Sequence, residues 1–177
     1  MPPYYYDTDP RTAGKVEDYT LWIAVMKKWR VWNLQKFLIK HRQHKSSLTA
    51  RTDRSRSMDA IRSVYEQQLK NLGIIPTPEE LDLHQLRSNK DGKPIDNVLN
   101  KKKQWLEKLV TANNSIHYYE EPYFSEIVGA RWFEFCNLST NLGLHTWRVF
   151  WSSPLSKSAD ISLKKKLRFF AKCLVKK

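Results

Sequence analysis

The most regular pattern of apolar positions in the chain lies between residues 58 and 73. Five side chains recur there at the i, i+3, i+4 spacing of one helical face: Ile61, Val64, Tyr65, Leu69 and Leu72. Ser57 is placed to cap the start of a helix, and Gly73 can adopt the left-handed conformation that ends one, with Pro76 beyond it. The pattern predicts an amphipathic helix between Ser57 and Gly73.

Two more helices are predicted in the middle of the chain. Thr77 and Glu80 have the spacing of a capping box, and Pro78 stands at the first helical position, so a short helix should run to about Arg87. A second apolar stripe predicts a helix over about residues 94–113, and its members are Ile95, Val98, Leu99, Leu106, Leu109 and Val110. These segments together predict a helical body.

After residue 115 the pattern is rich in aromatic residues and less regular. Residues 125–138 fit a helix. The alternation in residues 144–151 fits a strand with Trp147, Val149 and Trp151 on one face.

The last segment, residues 158–177, has the pattern of a basic amphipathic helix. Four apolar residues fall within about 60° of one another on a helical wheel, namely Leu163, Leu167, Phe170 and Leu174. Four cations take the opposite side: Lys165, Arg168, Lys172 and Lys176. Such a helix can dock its apolar face on the protein and turn its charges to nucleic acid, or it can lie on an anionic bilayer. A third interpretation is an exposed edge of a helical bundle. The many basic residues elsewhere in the chain favour the first arrangement.

The N-terminal third has no single apolar face. Residues 1–16, which contain three Pro and three Tyr, are typical of an extended arm. Residues 17–45 lack Pro and Gly and are predicted to be helical, with apolar side chains around the whole circumference. Residues 46–57 are polar and basic, as in a linker or a segment that orders on a partner. The predicted fold is mostly α, with an N-terminal arm, basic helix and linker over 1–57 and a helical bundle ending in the basic amphipathic helix over 58–177.

Charge is unevenly distributed along the chain. The 177 residues carry a formal net charge of +13, and the isoelectric point is near 9.8. Residues 1–57 hold 12 basic and 5 acidic residues, residues 58–153 hold 11 and 12, and residues 154–177 hold 8 and 1. Because solubility alone does not require charge to be segregated, both basic ends are predicted to contact a polyanion or an anionic membrane.

Residues 27–57 are the main candidate for nucleic-acid contact, because they hold ten basic residues and a single acid. Helical spacing would place indoles and ammonium groups on one stripe with Val25, Trp29, Trp32, Lys36 and Lys40. The candidates in this region are Lys27, Lys28, Trp29, Arg30, Trp32, Lys36, Lys40, Arg42, Lys45, Arg51, Arg54 and Arg56. Further candidates are Lys101, Lys102, Lys103, Lys165, Arg168 and Lys172. The alternative interpretation is a Trp pair in the core with lysine stems packed around it, and a lysine triplet on a solvated face.

The sequence does not predict an enzyme, a metal site or a cofactor. Asp82, Asp91 and Lys93 are the residue types of a metal nuclease, but the strand context of such a site is missing and a turn is the preferred interpretation. His41 and His44 have no third ligand nearby. Glycine-rich phosphate loops and the H-E-x-x-H motif are absent.

Cysteine content and hydropathy bear on the compartment. Cys136 and Cys173 lie in unrelated contexts and predict neither a zinc site nor a disulfide framework, which favours a reducing interior. The apolar run Leu21–Met26 is too short for a spanning helix. The opening "MPPYYYDTDP" does not have the pattern of a secretory signal. We therefore expect a location in a virion or an intracellular nucleoprotein particle.

The order basic segment "KKWRVWNLQKFLIKHRQHK", linker "SSLTARTDRSRS" and then helices resembles the coat proteins of filamentous archaeal DNA viruses. The resemblance is one of arrangement, without a diagnostic motif, so no residue role is transferred. It implies a basic helical arm that wraps double-stranded DNA, a helical bundle that forms the outer wall, and subunits that stack as dimers or heterodimers. A strand near Trp147 would depart from that all-helical bundle.

The sequence thus predicts a non-enzymatic structural protein that binds and packages nucleic acid in a larger assembly, mainly through phosphate contacts. Its expected partners are nucleic acid, with double-stranded DNA favoured over RNA, and copies of itself or of a related subunit. Two alternatives remain open: a peripheral organellar ribosomal protein that binds rRNA, and a membrane-associated matrix-type protein whose C-terminal helix contacts the bilayer. A sequence-reading transcription factor is disfavoured because no helix-turn-helix pattern is evident.

Overall fold

A computed structural model describes residues 16–40, 54–86 and 97–175. Within these ranges the chain is mostly α-helical and contains no strand, which confirms the predicted fold class. The helices are α1 (Glu17–Met26), α2 (Arg54–Asn71), α3 (Pro78–Gln85), α4 (Val98–Ile116), α5 (Tyr123–Leu138), α6 (Leu144–Trp151), α7 (Leu155–Ser158) and α8 (Leu163–Leu174), with a 3-10 turn at Thr140–Leu142. The chain forms two compact units, one up to Gln68 and one from Leu69 onward.

The first unit is held together by a small apolar cluster between α1 and the first part of α2. Val16, Ala60 and Val64 are buried, and Ile23 and Ile61 pack against them. The ring of Tyr19 meets that of Tyr65 edge-on, with 6.5 Å between ring centres. Of the apolar positions predicted for α2, Val64 is buried and Ile61 and Tyr65 are half-buried in this unit, so this part of the predicted face does pack inward.

The predicted helix over residues 17–45 is wrong beyond its first third. α1 ends at Met26, and residues 27–40 form a turn, bends and irregular chain, with every side chain exposed. Residues 41–45 lie outside the described ranges. The physical reason is that a short helix gains most of its stability by burying one face, and the apolar residues of this segment do not gather on one face.

α2 ends as the sequence predicted and begins earlier. Gly73 has φ +66°, its N–H donates to the carbonyl of Lys70, and the N–H of Ile74 donates to that of Leu69. This is a Schellman motif, which satisfies the last carbonyls of the helix. The predicted N-cap at Ser57 is wrong, because helical conformation already begins at Arg54.

The predicted capping box is confirmed. The N–H of Glu80 donates to the Thr77 hydroxyl at 3.2 Å, and the N–H of Thr77 donates to the Glu80 carboxylate at 2.9 Å. α3 ends at Gln85, slightly before the expected Arg87. The following helix, α4, runs to Ile116 and ends at His117, whose φ is +57°.

The predicted strand over residues 144–151 is wrong, since this segment is α6. Gly143, at φ +65°, sets its start. The helix buries Thr146, Val149 and Phe150, which are spaced three and four apart as on one helical face. The alternation of Trp147, Val149 and Trp151 that suggested a strand was too short to outweigh this helical period.

The core of the second unit is aromatic. Trp132 and Phe135 of α5, Phe150 of α6 and Phe169 of α8 are almost completely buried. The indole N–H of Trp132 donates to the carbonyl of Phe150 at 3.3 Å, so the one polar atom of this ring is satisfied. Large rings bury much apolar surface per residue, and they join α5, α6 and α8 here.

Both cysteines lie inside this unit as free thiols. Burial raises the pKa of the Cys136 thiol far above its usual range, and nearby Cys173 adds to the rise. Burial also raises the pKa of Cys173. Since the thiolate is the reactive form, neither residue has the environment of a reactive cysteine.

Candidate nucleic-acid interface

The candidate interface of the first unit is the irregular segment of residues 27–40, which we call the basic segment. It follows α1 directly: the N–H groups of Lys28 and Trp29 donate to the carbonyl of Val25 at 3.0 and 2.9 Å. α1 is in turn anchored by the cluster around Val16 and Val64. The N-terminal end of the basic segment is therefore anchored to the packed helix α1.

The basic segment is cationic and exposed. Its five cations are Lys27, Lys28, Arg30, Lys36 and Lys40, it contains no acidic residue, and each of these side chains is exposed. Cations on an extended, accessible chain can reach successive phosphates of a nucleic acid. The predicted stripe of Trp29, Trp32, Lys36 and Lys40 on one helical face does not form, because these residues are not helical.

Aromatic and aliphatic side chains of the basic segment are exposed as well. Trp32 is 87% exposed, Trp29 is about half exposed, and Phe37 is open to solvent. The alternative interpretation, in which the two Trp side chains fill the core, is therefore wrong for the described unit. Exposed rings of this size are found where a base stacks or where another protein surface packs.

The neighbouring sequence candidates are only partly described. Arg54 and Arg56 belong to the first turn of α2. Arg42, Lys45 and Arg51 lie outside the described residues, as do His41 and His44.

The lysine triplet on α4 does not form one outer surface. Lys101 is exposed and pairs with Glu79 at 2.6 Å, and Lys103 is partly exposed. Lys102 is only 5% exposed, and its ammonium donates to the carbonyl of Leu83. The expectation that Lys102 faces solvent is wrong, because its position falls within the buried stripe of α4 next to Leu99 and Leu106.

Burial changes the protonation of two side chains at this point. Desolvation, helped by the charge of Arg131, lowers the pKa of Lys102 to about 8. Desolvation also lowers the pKa of His84 to about 4, and the charges of Lys102 and Arg131 add to the effect. The indole N–H of Trp105 donates to Nδ1 of His84 at 3.3 Å, which requires a ring unprotonated at that atom.

The C-terminal candidates share one side of α8. Lys165 and Arg168 are exposed, and Lys172 is partly exposed and donates to the side-chain oxygen of Asn137 at 3.0 Å. Their spacing of three and four residues places the three cations together. This cationic side of α8 is the second surface that is open to a polyanion.

Sequence reasoning missed a group of exposed apolar residues at α6 and α8. Leu144 and Trp151 of α6 are exposed, and Trp147 lies 5.0 Å from Phe170 of α8, measured between ring centres. The i, i+3, i+7 spacing of Leu144, Trp147 and Trp151 places these residues on one helical face and is the sequence signal for this group. The strand prediction for the same segment hides it.

α8 also does not dock by the face expected from its pattern. It buries Phe169 and Cys173, whereas the stripe of Leu163, Leu167, Phe170 and Leu174 stays exposed. The predicted packing of that stripe on the protein is therefore wrong for the described chain.

Two further properties of the described residues bear on the site. They contain no group of three or more His, Cys, Asp or Glu side chains placed to hold a metal ion. None of their helices combines the length and the apolar character needed to cross a bilayer.

No protein-family model, curated protein or solved structure matches this chain. The assignment of function therefore depends on the chemistry of the surfaces described above.

Proposed function

We propose that this protein binds nucleic acid through phosphate contacts and helps to package it in a larger assembly. The observation that carries the proposal is the basic segment, with five cations, no acid and every side chain exposed over residues 27–40. Each phosphate that a lysine or arginine neutralises releases condensed counterions, and this release supplies most of the affinity of non-specific binding.

Accessibility supports this proposal better than charge alone does. A cation contributes to polyanion binding only where a phosphate can approach it. Lys102 is cationic but buried, so we leave it out of the interface. Lys165 and Arg168 on α8 meet the requirement, as do the five cations of the basic segment.

The exposed rings support packaging rather than binding alone. Trp29, Trp32 and Phe37 would expose much apolar surface in an isolated chain, and surfaces of this kind mark protein contacts. A segment that meets phosphates with its cations and a second subunit with its rings would order on assembly. Double-stranded DNA is the favoured ligand, as in the coat proteins whose arrangement the sequence resembles.

The binding test uses fluorescence anisotropy with labelled duplex DNA and with RNA of the same length. In the variant Lys27→Gln/Lys28→Gln/Lys36→Gln, affinity should fall, and the slope of log affinity against log salt should become shallower by roughly one unit per lost cation. The matched control Lys70→Gln/Arg131→Gln/Lys157→Gln removes the same charge from exposed positions elsewhere.

The control decides whether the basic segment is the interface. If both triple variants lose affinity equally, only net charge matters and the segment has no special role. If wild-type protein binds neither polymer at low salt, the proposal fails altogether.

Stacking and assembly are tested separately. Trp32→Ala should weaken single-stranded binding by about 1–3 kcal/mol if a base stacks on this ring, and should leave duplex affinity almost unchanged. Electron microscopy of the protein mixed with duplex DNA should show regular filaments. Monomeric complexes without order would contradict packaging and favour the alternative of a peripheral ribosomal protein.

A further inference from the structure

We infer that the exposed stripe of α8, together with two Trp side chains of α6, forms a surface that docks on an anionic lipid bilayer. We call this surface the apolar patch and define it by Trp147, Trp151, Leu163, Leu167, Phe170 and Leu174. It does not depend on the basic segment and is a binding activity beyond the proposed function.

The apolar patch is a second apolar face of α8, separate from the face that packs in the core. On a helical wheel the stripe lies about 100° from Phe169 and Cys173, the two residues that α8 buries. Leu163 is 71% exposed and Leu167 is 61% exposed. The core therefore already holds α8, and the stripe is not needed for that contact.

The indoles of α6 enlarge this face. The ring of Trp147 lies 5.0 Å from Phe170 and 5.5 Å from Trp151, measured between ring centres. Trp151 is itself exposed. Tryptophan favours the boundary between water and hydrocarbon, because its ring is largely apolar and its N–H can be hydrated.

The charges around the apolar patch select its occupant. Residues 144–175 contain seven basic residues and one acid, Asp160. On the helical wheel, Lys164 and Lys166 border the stripe on its two sides, and the ammonium of Lys166 lies 5.7 Å from the ring centre of Trp151. Cations at the margin of an apolar face can contact lipid phosphates while the apolar residues enter the acyl region.

The two other occupants fit this chemistry less well. A second copy would bring its own lysines against these lysines, so like charges would oppose the contact. Nucleic acid would be attracted to the cations but would leave Leu163, Leu167 and Leu174 in water. An anionic bilayer satisfies both the charge and the apolar surface. α8 has 12 residues and is about 18 Å long at 1.5 Å per residue, so it would lie in the plane of the membrane.

The test is flotation of the full-length protein with vesicles of phosphatidylcholine, with and without phosphatidylserine. Wild-type protein should float with the anionic vesicles and not with the neutral ones. Leu167→Gln/Leu174→Gln should lower the partition coefficient at least about tenfold, because two leucines lose their transfer into hydrocarbon. The matched control Ile75→Gln/Ile127→Gln changes two exposed apolar residues outside the patch and should bind as wild type does.

Five outcomes would overturn the inference. Three concern flotation: its absence for wild-type protein with anionic vesicles, equal flotation with neutral vesicles, and an equal loss in the control variant. The fourth is a change in molar mass by light scattering in the Leu167→Gln/Leu174→Gln variant, which would reveal a contact between copies. The fifth is unchanged vesicle binding by this same variant. Anisotropy with duplex DNA on the same variants separates the two proposals. Loss of vesicle binding with unchanged DNA affinity supports the lipid surface, and loss of DNA affinity with unchanged vesicle binding assigns the patch to nucleic acid.

Discussion

The ammonium group of Lys102 in α4 donates a hydrogen bond to the carbonyl oxygen of Leu83 in α3. The same ammonium lies 5.6 Å from the centre of the Phe135 ring in α5. A buried cation is costly unless it is compensated, and here a carbonyl dipole and an aromatic face contact the ammonium, while the charge of Glu134 offsets part of the cost of burial. This contact joins three helices of the second unit around one charge.

Lys102 should make the stability of the protein depend on alkaline pH. Its pKa falls to about 8 in the folded state, below the value of about 10.4 for an unfolded lysine. Between these values the unfolded chain binds more protons, so the free energy of unfolding should rise with pH, by about 2–3 kcal/mol from pH 8 to 10.5. Below pH 8 the penalty for burying the charge is fully present.

The variant Lys102→Met removes this group at nearly constant volume. Urea unfolding followed by Trp fluorescence should show its stability relative to wild type declining steadily from pH 8 to 10.5. Lys101→Met, on the solvent side of the same helix, is the matched control for loss of a lysine. A constant difference between Lys102→Met and wild type over this range would show that Lys102 is not buried as a cation.

His84 should make the stability of the protein depend on pH in the acidic range. Its pKa is lowered to about 4, and Nδ1 accepts the indole N–H of Trp105, so protonation costs both desolvation and this hydrogen bond. The stabilisation that comes from the neutral imidazole is complete above pH 6.5 and is lost as pH falls through 4. The loss in the free energy of unfolding is on the order of 2 kcal/mol.

The measurement compares wild type with His84→Asn, which keeps a side-chain acceptor that does not titrate. Carboxylates titrate in both proteins, so the difference between them isolates the imidazole. The stability of His84→Asn relative to wild type should rise as pH falls from 6.5 to 4. If the two acid profiles run parallel, the imidazole is not held neutral in the fold.

The features that the sequence predicted correctly are those decided by neighbouring residues. The capping box of Thr77 and Glu80 and the left-handed Gly73 need only a few residues of context, so their pattern is sufficient. The apolar period of α4 is similarly local. Each of these features was found at or within a few residues of its predicted position.

The features that failed depend on tertiary partners. No Pro or Gly ends α1 at Met26; the helix ends because the apolar residues that follow do not gather on one face and stay exposed. The amphipathic pattern of α8 identified an apolar stripe, but the core took the adjacent face with Phe169 and Cys173. Lys102 is a different case, since its spacing of three from Leu99 and four from Leu106 already placed it in the buried stripe. The three consecutive lysines suggest one solvated surface, but this spacing outweighs the charge at the middle position.

A close approach between α5 and the backbone at α7 should make Gly129 intolerant of a side chain. A Cβ built on this residue of α5 would lie 2.7 Å from the backbone nitrogen of Ala159 and 2.9 Å from the carbonyl oxygen of Leu155. Both atoms belong to the backbone at α7. Backbone atoms cannot move aside as the end of a flexible side chain can. In an open helix, Gly→Ala stabilises by up to about 1 kcal/mol; here Gly129→Ala should destabilise by roughly 1–3 kcal/mol.

Urea denaturation shows whether Gly129→Ala lowers the free energy of unfolding, as expected here, or raises it, as in an open helix. The control is Ala130→Gly, at the exposed neighbouring position. It measures the difference in helix propensity between Ala and Gly alone, and it should destabilise the protein by up to about 1 kcal/mol. A stabilised Gly129→Ala variant would show that α5 and α7 are further apart than described.

Asn113 should be essential to the loop that follows α4. It is completely buried; its amide nitrogen donates to the carbonyl of Tyr119 at 3.1 Å and to the Glu121 carboxylate at 2.8 Å, and its oxygen accepts the Tyr119 N–H at 2.8 Å. Asn113→Ala removes all three of these part-buried hydrogen bonds and leaves a small cavity at a completely buried position, so it should destabilise by roughly 2–4 kcal/mol. Asn114→Ala, one residue along on the exposed side of the helix, should stay within about 0.5 kcal/mol of wild type.

Thermal and urea unfolding compare the stability of Asn113→Ala and Asn114→Ala, and hydrogen exchange at the Tyr119 amide reports directly on the loop. Equal stability of the two variants, with the Tyr119 amide still protected in Asn113→Ala, would mean that other contacts hold the loop, because loss of this side chain removes the acceptor of that amide.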